Sequence, residues 1–421
     1  GSGQVTLGIH IAAPGLALQP GDALDQVARQ RLSTVYMPGH KITMLPDAVV
    51  QRYTLQAGRD CPALSLYLQI DETSLEITTA QTRLERVPIA ANLRHDEIDG
   101  MVTEAWLNDA QAPAPDHPEL ASLADWLRFM HRLAQHLKAR REVVRGKPET
   151  FNRPDYNFRL LGLEGDEPSG NEAVQISVRQ RGAPLDLIVA EAMILANSHW
   201  GSWLAELGVP AIYRSQASLA PGVKVRMGTK ALPHAGIGVK SYAWSTSPLR
   251  RYTDLVNQWQ LIAAARHGAT AALAAPFKPK DAELFSIISA FDAAYTAYNG
   301  YQASMERFWT LRHLQLQGWV ELDATVLRDG LVRADALPLV LPVLGAHDLP
   351  RGARVRVRLG AIDEIALDVQ GTVIARLDAD AAVDEAADEE ELVAGPLAIA
   401  VDLDEAPTGG DTPPVAAPAN A

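Results

Sequence analysis

Two adjacent arginines, Arg250 and Arg251, sit in SYAWSTSPLRRYTDLVNQW, residues 241–259. Ser247 is a capping residue type, and Pro248 suits a first helical position because it has no N–H to satisfy. Arg266, His267 and Gly268 suit a helix C-terminus. A helix is therefore expected over 248–267, with Leu249, Tyr252, Val256, Trp259 and Ala263 as its buried stripe. Cations in a first turn face the positive end of the helix dipole, at a cost of about 0.3–1 kcal/mol each. Free backbone N–H groups at the same place favour an anion. A phosphate clamped by a guanidinium fork reconciles the two facts. The competing reading is a surface salt bridge between Arg250 and Asp254, four residues on.

A second candidate is Glu191, the only charge between 187 and 197 in the apolar run LDLIVAEAMILAN. A carboxylate in a deeply buried helix needs a cationic or hydrogen-bonding partner, or it stays protonated. It forms either a structural ion pair with a core-facing arginine or an anchor for a catalytic arginine or a ribose hydroxyl.

These residues must be positioned by regular elements. Val5, Leu7, Ile9 and Ile11 alternate with polar residues, so a strand spans 4–12. DALDQVARQRL (22–32) reads as a helix and MPGHKITMLPD (37–47) as turn-rich. Residues 63–90 read as antiparallel strands. Leu120, Leu123, Leu127, Met130, Leu133 and Leu137 recur at three and four, the pattern of an amphipathic helix over 119–145. Strand and turn signals alternate over 158–190. Further helices are expected over 185–207 and 281–316. From Gly318 the pattern changes to short strands at even spacing, which suggests a five-stranded OB-fold barrel. The expected organisation is a body over 1–317, a barrel over 318–378 and an acidic, disordered tail over 379–421.

RGARVRVRLG places Arg354, Arg356 and Arg358 on one face of a barrel strand and Val355, Val357 and Leu359 on the other. Such a face suits single-stranded RNA, or it is simply solvated. Trp319 is the one aromatic there, so electrostatic contacts would dominate.

The formal charge is −13, from 51 acidic and 38 basic residues. Twelve of the acids lie from Asp378 onward, where there is no Lys or Arg, so the body is near neutral. An anionic partner therefore stays open if bases cluster locally. Cys61 is the only cysteine, which excludes internal disulfides and Cys-based zinc sites and fits a reducing compartment. No apolar run is long enough to span a membrane.

Several blocks resemble the RNase II (RNB) exoribonucleases. TSPLRRYTDLVN is similar to that family's T-S-P-[IL]-R-[RK]-Y-x-D signature, and VYMPGHKITMLPD to its Y-[LM]-P-x-x-x-[IL]-x-M-L-P segment. FNRPDY, AEAMILAN and MERFWTLRHLQ resemble three further blocks in the same order. The resemblance implies an α+β fold: an RNB-type catalytic domain of mixed sheet and helices, incomplete at its start, followed by the small barrel. It also implies 3′→5′ hydrolysis of single-stranded RNA to nucleoside 5′-monophosphates with two magnesium ions. By position, Arg250 would stabilise charge on the scissile phosphate, with Arg251 a structural or phosphate-side neighbour. Tyr36 and Phe151 would stack on terminal bases, and Glu191 and Glu306 would contact the terminal nucleotide or fix its neighbours. For each aromatic the competing reading is a core residue.

Departures from the family pattern carry expectations too. The family's magnesium-binding aspartate cluster precedes a strand like 4–12, and nothing in these 421 positions matches it. No metal ligand is therefore assigned, and the chain alone is expected to be inactive. The family's N-terminal cold-shock-type domains have no counterpart here. Gln258 and Trp259 stand where many members have His and Arg. The alternative function is a non-catalytic relative that binds RNA 3′ ends; a structural scaffold docking through the tail is a third reading. A cytoplasmic monomer is expected, with neither membrane nor DNA as a partner.

Overall fold

Alternating apolar residues, as in β1, build the sheets, and apolar residues three and four apart build the helices. The computed structural model describes residues 3–378 apart from 110, 114, 116, 118, 150–154, 164, 166 and 180–181. Phe151 and the tail over 379–421 lie outside the described residues. Strand β1 (Gln4–Ala12) leads to α1 (Ala23–Arg31), the small hairpin β2 (Val35–Met37) and β3 (His40–Ile42), and α2 (Asp47–Tyr53). A long hairpin follows, β4 (Asp60–Asp71) and β5 (Ile77–Pro88), then α3 (His95–Ile98), α4 (Glu104–Asn108) and α5 (Leu120–Arg145). Next come β6 (Asp155–Leu161), β7 (Ala173–Arg179), α6 (Pro184–Glu206), β8 (Tyr213–Ser215) and β9 (Arg226–Gly228). Helices α7 (Tyr252–His267), α8 (Ala271–Ala274) and α9 (Ala282–Gln317) precede five strands. These are β10 (Glu321–Val326), β11 (Leu331–Ala334), β12 (Val340–Leu344), β13 (Arg354–Asp363) and β14 (Asp368–Arg376).

The main sheet has the order β1-β4-β5, and both pairings are antiparallel, where a mixed sheet was expected. Leu7, Ile9 and Ile11 of β1 join Leu64, Leu66 and Leu68 of β4 in one core with Leu127, Met130 and Leu133 of α5 and Ile188 and Trp200 of α6. Each fully buried leucine there contributes about 1.5–3 kcal/mol of hydrophobic stabilisation.

Helix α7 lies at the centre of the body. Every residue from Tyr252 to Ala264 is buried, so the expected one-sided stripe becomes burial all round. Its polar side chains are tolerated because they are hydrogen-bonded, and Asn257, Gln258, Trp259 and Gln260 bond the main chain of surrounding segments. Asn257 accepts from Ile212 N–H (2.7 Å) and donates to the Ile212 (2.9 Å) and Trp244 (2.7 Å) carbonyls. Gln260 donates to the Pro210 and Phe277 carbonyls. Gln258 accepts from Gly15 N–H and donates to the Ala12 carbonyl, while Trp259 Nε1 donates to the Leu18 carbonyl. The two residues that depart from the family pattern thus tie α7 to the end of β1. Gly15 must stay small, because a Cβ there would lie 2.9 Å from the Gln258 amide oxygen.

The last strands close a barrel in the order β10-β11-β12-β14-β13. Among the described barrel pairings only β12 with β14 is parallel, which is the expected OB-like architecture. Leu311 and Leu314, at the end of α9, share the barrel core. Arg307 of α9 donates to the carbonyls of Leu367 and Val340. Barrel and body are therefore joined by packing as well as by chain. No described helix is long and apolar enough to cross a membrane.

Candidate nucleic-acid interface

The two arginines have different environments. Arg250 and Arg251 both donate their N–H to the Ser247 carbonyl (3.1 and 3.0 Å), so residues 248–250 form a turn. Helix α7 starts only at Tyr252, and Arg251, extended at φ −131°, ψ 127°, occupies the N-cap position. This corrects the expected start at Pro248 and the capping role of Ser247. The physical reason is Asp254. In the first turn of α7 it complements the helix dipole. Its carboxylate accepts from Ser247 N–H (2.9 Å) and from Arg251 Nε and Nη2 (2.9 Å each). The acid expected to pair with Arg250 thus pairs with Arg251. Arg251 and Asp254 are both buried, and the Arg251 guanidinium lies 4.0 Å from the Trp244 ring centroid. In this geometry the Arg251 guanidinium is turned into the protein.

Arg250 stays half-buried, and its main chain joins the segment ahead of β2. Its carbonyl accepts from Thr34 N–H (2.9 Å) and from the Ser33 hydroxyl (3.3 Å). Ser33 and Arg251 form an antiparallel bridge, and Tyr252 N–H donates to the Leu32 carbonyl (2.8 Å). Residues 32–34 therefore run against 250–252, and Tyr36 follows two residues later.

Tyr36 sits on β2 directly opposite Lys41 of β3. Directly opposed residues share one face of a hairpin, so an aromatic ring and an ammonium group are presented together. The turn between them holds Gly39 at φ +74°, where a Cβ would fall 2.3 Å from Leu160 Cδ1 of β6. Tyr36 N–H donates to Gln302 Oε1 of α9 (2.8 Å). Glu306 lies one turn further along that helix. Its residue surface is exposed, but its carboxyl is crowded by neighbouring atoms and near Asp155. Crowding first and the Asp155 charge second push its pKa up. Tyr36, Lys41, Gln302, Glu306 and the main chain of Arg250 are thus carried by mutually bonded segments. Lys41 and Gln302 escaped the sequence reading; the alternation of HKI across the Pro38–Gly39 turn is the signal that pairs Lys41 with Tyr36.

Glu191 lies on α6, and its hydrogen bonds run to α5. Arg141 of α5 grips it through Nε (3.0 Å) and Nη2. Arg141 Nη1 also donates to Glu149 Oε1 (2.7 Å) and to the Ile237 carbonyl (2.6 Å). All three charged side chains are buried. Burial raises the Glu191 pKa, with repulsion from Glu149 adding to it and Arg141 opposing it. Of the two readings of Glu191, this geometry is the structural ion pair. It clamps the loop that leads toward Arg250, and Gly238 there leaves no room for a Cβ, which would fall 2.3 Å from the Arg141 carbonyl oxygen.

The family model of the RNB domain matches residues 1–222 and 221–267. The chain belongs to the RNB domain family. An uncharacterized ribonuclease of Synechocystis is 26% identical over 391 residues, covering 85% of this chain and 53% of that protein. Among solved structures, an active-site mutant of the Dss1 exoribonuclease of Candida glabrata superposes with a TM-score of 0.70 at 20% identity, covering 88% of this chain and 51% of that one. Mycoplasma genitalium RNase R in complex with ribose-methylated single-stranded RNA gives 0.68 at 15% identity, covering 88% and 67%. This RNB chain spans about half the length of the curated relatives it matches.

In this RNB protein the barrel arginines do share one face, but the face is not simply basic. Arg356 pairs with Asp323 (2.8 Å), Arg358 with Glu321 (3.1 Å) and Arg354 with Asp335 (2.9 Å). Glu321 and Asp323 of β10 lie directly opposite Arg358 and Arg356 in the register. The expected cationic stripe is a ladder of ion pairs because ELDATV alternates in phase with RVRVRL. Magnesium is the metal the resemblance implies. Among the described residues no three His, Cys, Asp or Glu side chains converge to hold an ion.

Proposed function

We propose that this RNB chain grips the 3′ end of single-stranded RNA and serves 3′→5′ exoribonucleolysis that releases nucleoside 5′-monophosphates. The observation that carries the reading is the main-chain pairing of 250–252 with 32–34, which ties Arg250 to the Tyr36–Lys41 hairpin. Arg250 would meet the phosphate under attack, and Lys41 a neighbouring phosphate. Tyr36 would stack on a terminal base, an interaction worth about 1–3 kcal/mol. Phe151 is proposed as the second stacking residue. Glu306, with its raised pKa, would donate or accept a hydrogen bond at the terminal ribose. Glu191 and Arg251 support the site from inside the protein. The acid partners of Arg354, Arg356 and Arg358 leave those arginines a secondary part in RNA binding. RNase R of Mycoplasma genitalium has a solved structure in complex with ribose-methylated single-stranded RNA, and single-stranded RNA is the partner proposed here.

Gripping and cutting separate experimentally. Titration of a 3′-labelled single-stranded RNA into the protein should show binding that Arg250→Ala weakens. With magnesium, stepwise shortening of that RNA would assign catalysis to this chain. Binding without shortening would assign the non-catalytic 3′-end-binding role. In an active enzyme, Arg250→Ala should lower the rate by on the order of 10³-fold, as loss of other phosphate-clamping arginines does. Failure to bind any single-stranded RNA would sink both versions.

A further inference from the structure

Between Glu206 and Asp254 the chain carries no acidic residue and seven bases: Arg214, Lys224, Arg226, Lys230, Lys240, Arg250 and Arg251. Arg251 is buried against Asp254, and Arg214 lies 4.0 Å from the Trp244 ring centroid. Lys224, Arg226, Lys230 and Lys240 are all exposed. None of these four side chains has a hydrogen bond or ion pair to a described residue. The barrel stripe is the opposite case, since each of its three arginines has a carboxylate beside it. Exposed cations without internal partners keep their full charge available to an external anion.

The segment that carries them is folded. Ser215 of β8 pairs with Arg226 of β9. The buried side chain of Gln216 donates to the Val223 carbonyl (3.0 Å) and accepts from Gly236 N–H (3.0 Å), so it ties the connection to the following loop. Val225 and Met227 pack on the core that contains Phe291 of α9 and Trp244. Arg214 N–H donates to the Tyr242 carbonyl (2.8 Å). The Trp244 ring meets the guanidinium groups of both Arg214 and Arg251. The basic segment is therefore anchored through Trp244 to the residue next to Arg250.

We propose that Lys224, Arg226, Lys230 and Lys240 form a phosphate track for the part of the RNA that lies 5′ of the gripped end. The inference rests on the proposed 3′-end function and adds to it a second, sequence-independent binding region. RNA long enough to reach the track binds tighter and with a steeper salt dependence than RNA that fills only the Arg250–Tyr36 region.

The test compares a short oligoribonucleotide of about four residues with one of about sixteen, a length on the scale of single-strand binding sites. Binding is followed by fluorescence anisotropy across a salt series. Substituting all four bases with Gln should weaken the long RNA at least about tenfold at low salt. It should also lower the log–log salt slope by about 0.7 for each phosphate that is no longer neutralised. The short RNA should bind as before. A second variant, Lys224→Arg with Lys230→Arg and Lys240→Arg, should restore the long-RNA affinity and guards against a folding defect. A four-base variant that matches the parent on long RNA overturns the track and leaves the 3′-end reading intact. A parent protein that binds neither RNA overturns both. Loss of binding to an acidic peptide, with RNA binding unchanged, would assign the surface to a protein partner and overturn the proposal.

Discussion

Asp254 grips Arg251, three residues before it, through two hydrogen bonds of 2.9 Å, while Arg250 beside it stays half-buried. The two arginines therefore predict opposite phenotypes. Arg251→Ala leaves the Asp254 carboxylate buried without its cation, a loss of about 3–5 kcal/mol. Arg250→Ala, at a half-buried side chain, should cost clearly less stability than Arg251→Ala and should weaken RNA binding. Urea denaturation and RNA titration of both variants check this. Equal destabilisation by the two would show that the division of labour is wrong.

Arg141 stands between two buried carboxylates, Glu191 and Glu149. Arg141→Met removes the cation that both of them share and should cost about 3–5 kcal/mol. Glu191→Gln should cost clearly less, because Arg141 keeps Glu149 and the Ile237 carbonyl, and a carboxyl whose pKa is already raised loses less on neutralisation. Comparing denaturation midpoints ranks the two. A Glu191→Gln protein as damaged as Arg141→Met would show that the Glu191 charge itself is required for stability.

His234 is fully buried, and its pKa is pushed down to about 4, first by burial and then by the charge of Arg214. An unfolded histidine titrates near 6.5. Between these values the unfolded chain binds more protons than the folded one. The stability contribution is thus present above about pH 6.5 and is lost as pH falls toward 4, by up to about 3 kcal/mol. Other histidines with lowered pKa, such as His131 and His199, act in the same direction. The informative quantity is therefore the difference between the parent and His234→Gln. Stability measured from pH 7 to pH 4.5 should fall less steeply in the variant, and parallel curves would reject the assignment.

Much of this fold is legible in the sequence where burial repeats with a period. Leu120 to Leu137 mark α5, Val5 to Ile11 mark β1, and the alternation from Glu321 onward marks the barrel, because each buries one face against a core. The region from Gly208 to Arg251 is not legible in that way. It is held by single side chains reaching across the fold, such as Gln216, Asn257 and Arg141, and no local pattern announces those partners. The site is partly legible for the same reason. Arg250 and Tyr36 stand in recognisable motifs, whereas Lys41 and Gln302 become candidates only once β2 is paired with β3 and laid against α9. The partner of Asp254 depends on where the helix starts, and a turn at 248–250 moved that start by four residues.

Gly39 couples the hairpin to β6. Alanine there must adopt φ near +74°, a conformation that costs an L-residue about 1–2 kcal/mol. It must also displace the Leu160 side chain, 2.3 Å from the new methyl group. Gly39→Ala should thus move the Tyr36–Lys41 face and weaken RNA binding by more than the modest loss of stability accounts for. Thermal melting and RNA titration on the same samples separate the two. A variant with lowered stability and parental affinity would place Tyr36 outside the RNA-binding surface.

The barrel face offers the last test, because its arginines are occupied and not absent. Glu321 and Asp323 lie opposite Arg358 and Arg356, and Asp335 reaches Arg354. The pKa of Asp323 is lowered and that of Arg356 raised, chiefly by the hydrogen bond between them. Replacing the three acids by Gln or Asn releases three guanidinium groups on one exposed face. If RNA passes over this face, affinity should rise and the log–log salt slope should steepen by up to about 0.7 per arginine released. The reverse triple variant, with the arginines removed and the acids kept, should weaken binding by repulsion alone. Should both variants bind RNA like the parent, the barrel lies off the path of the RNA, and the bases between Lys224 and Lys240 remain as the electrostatic partner of the 5′ portion.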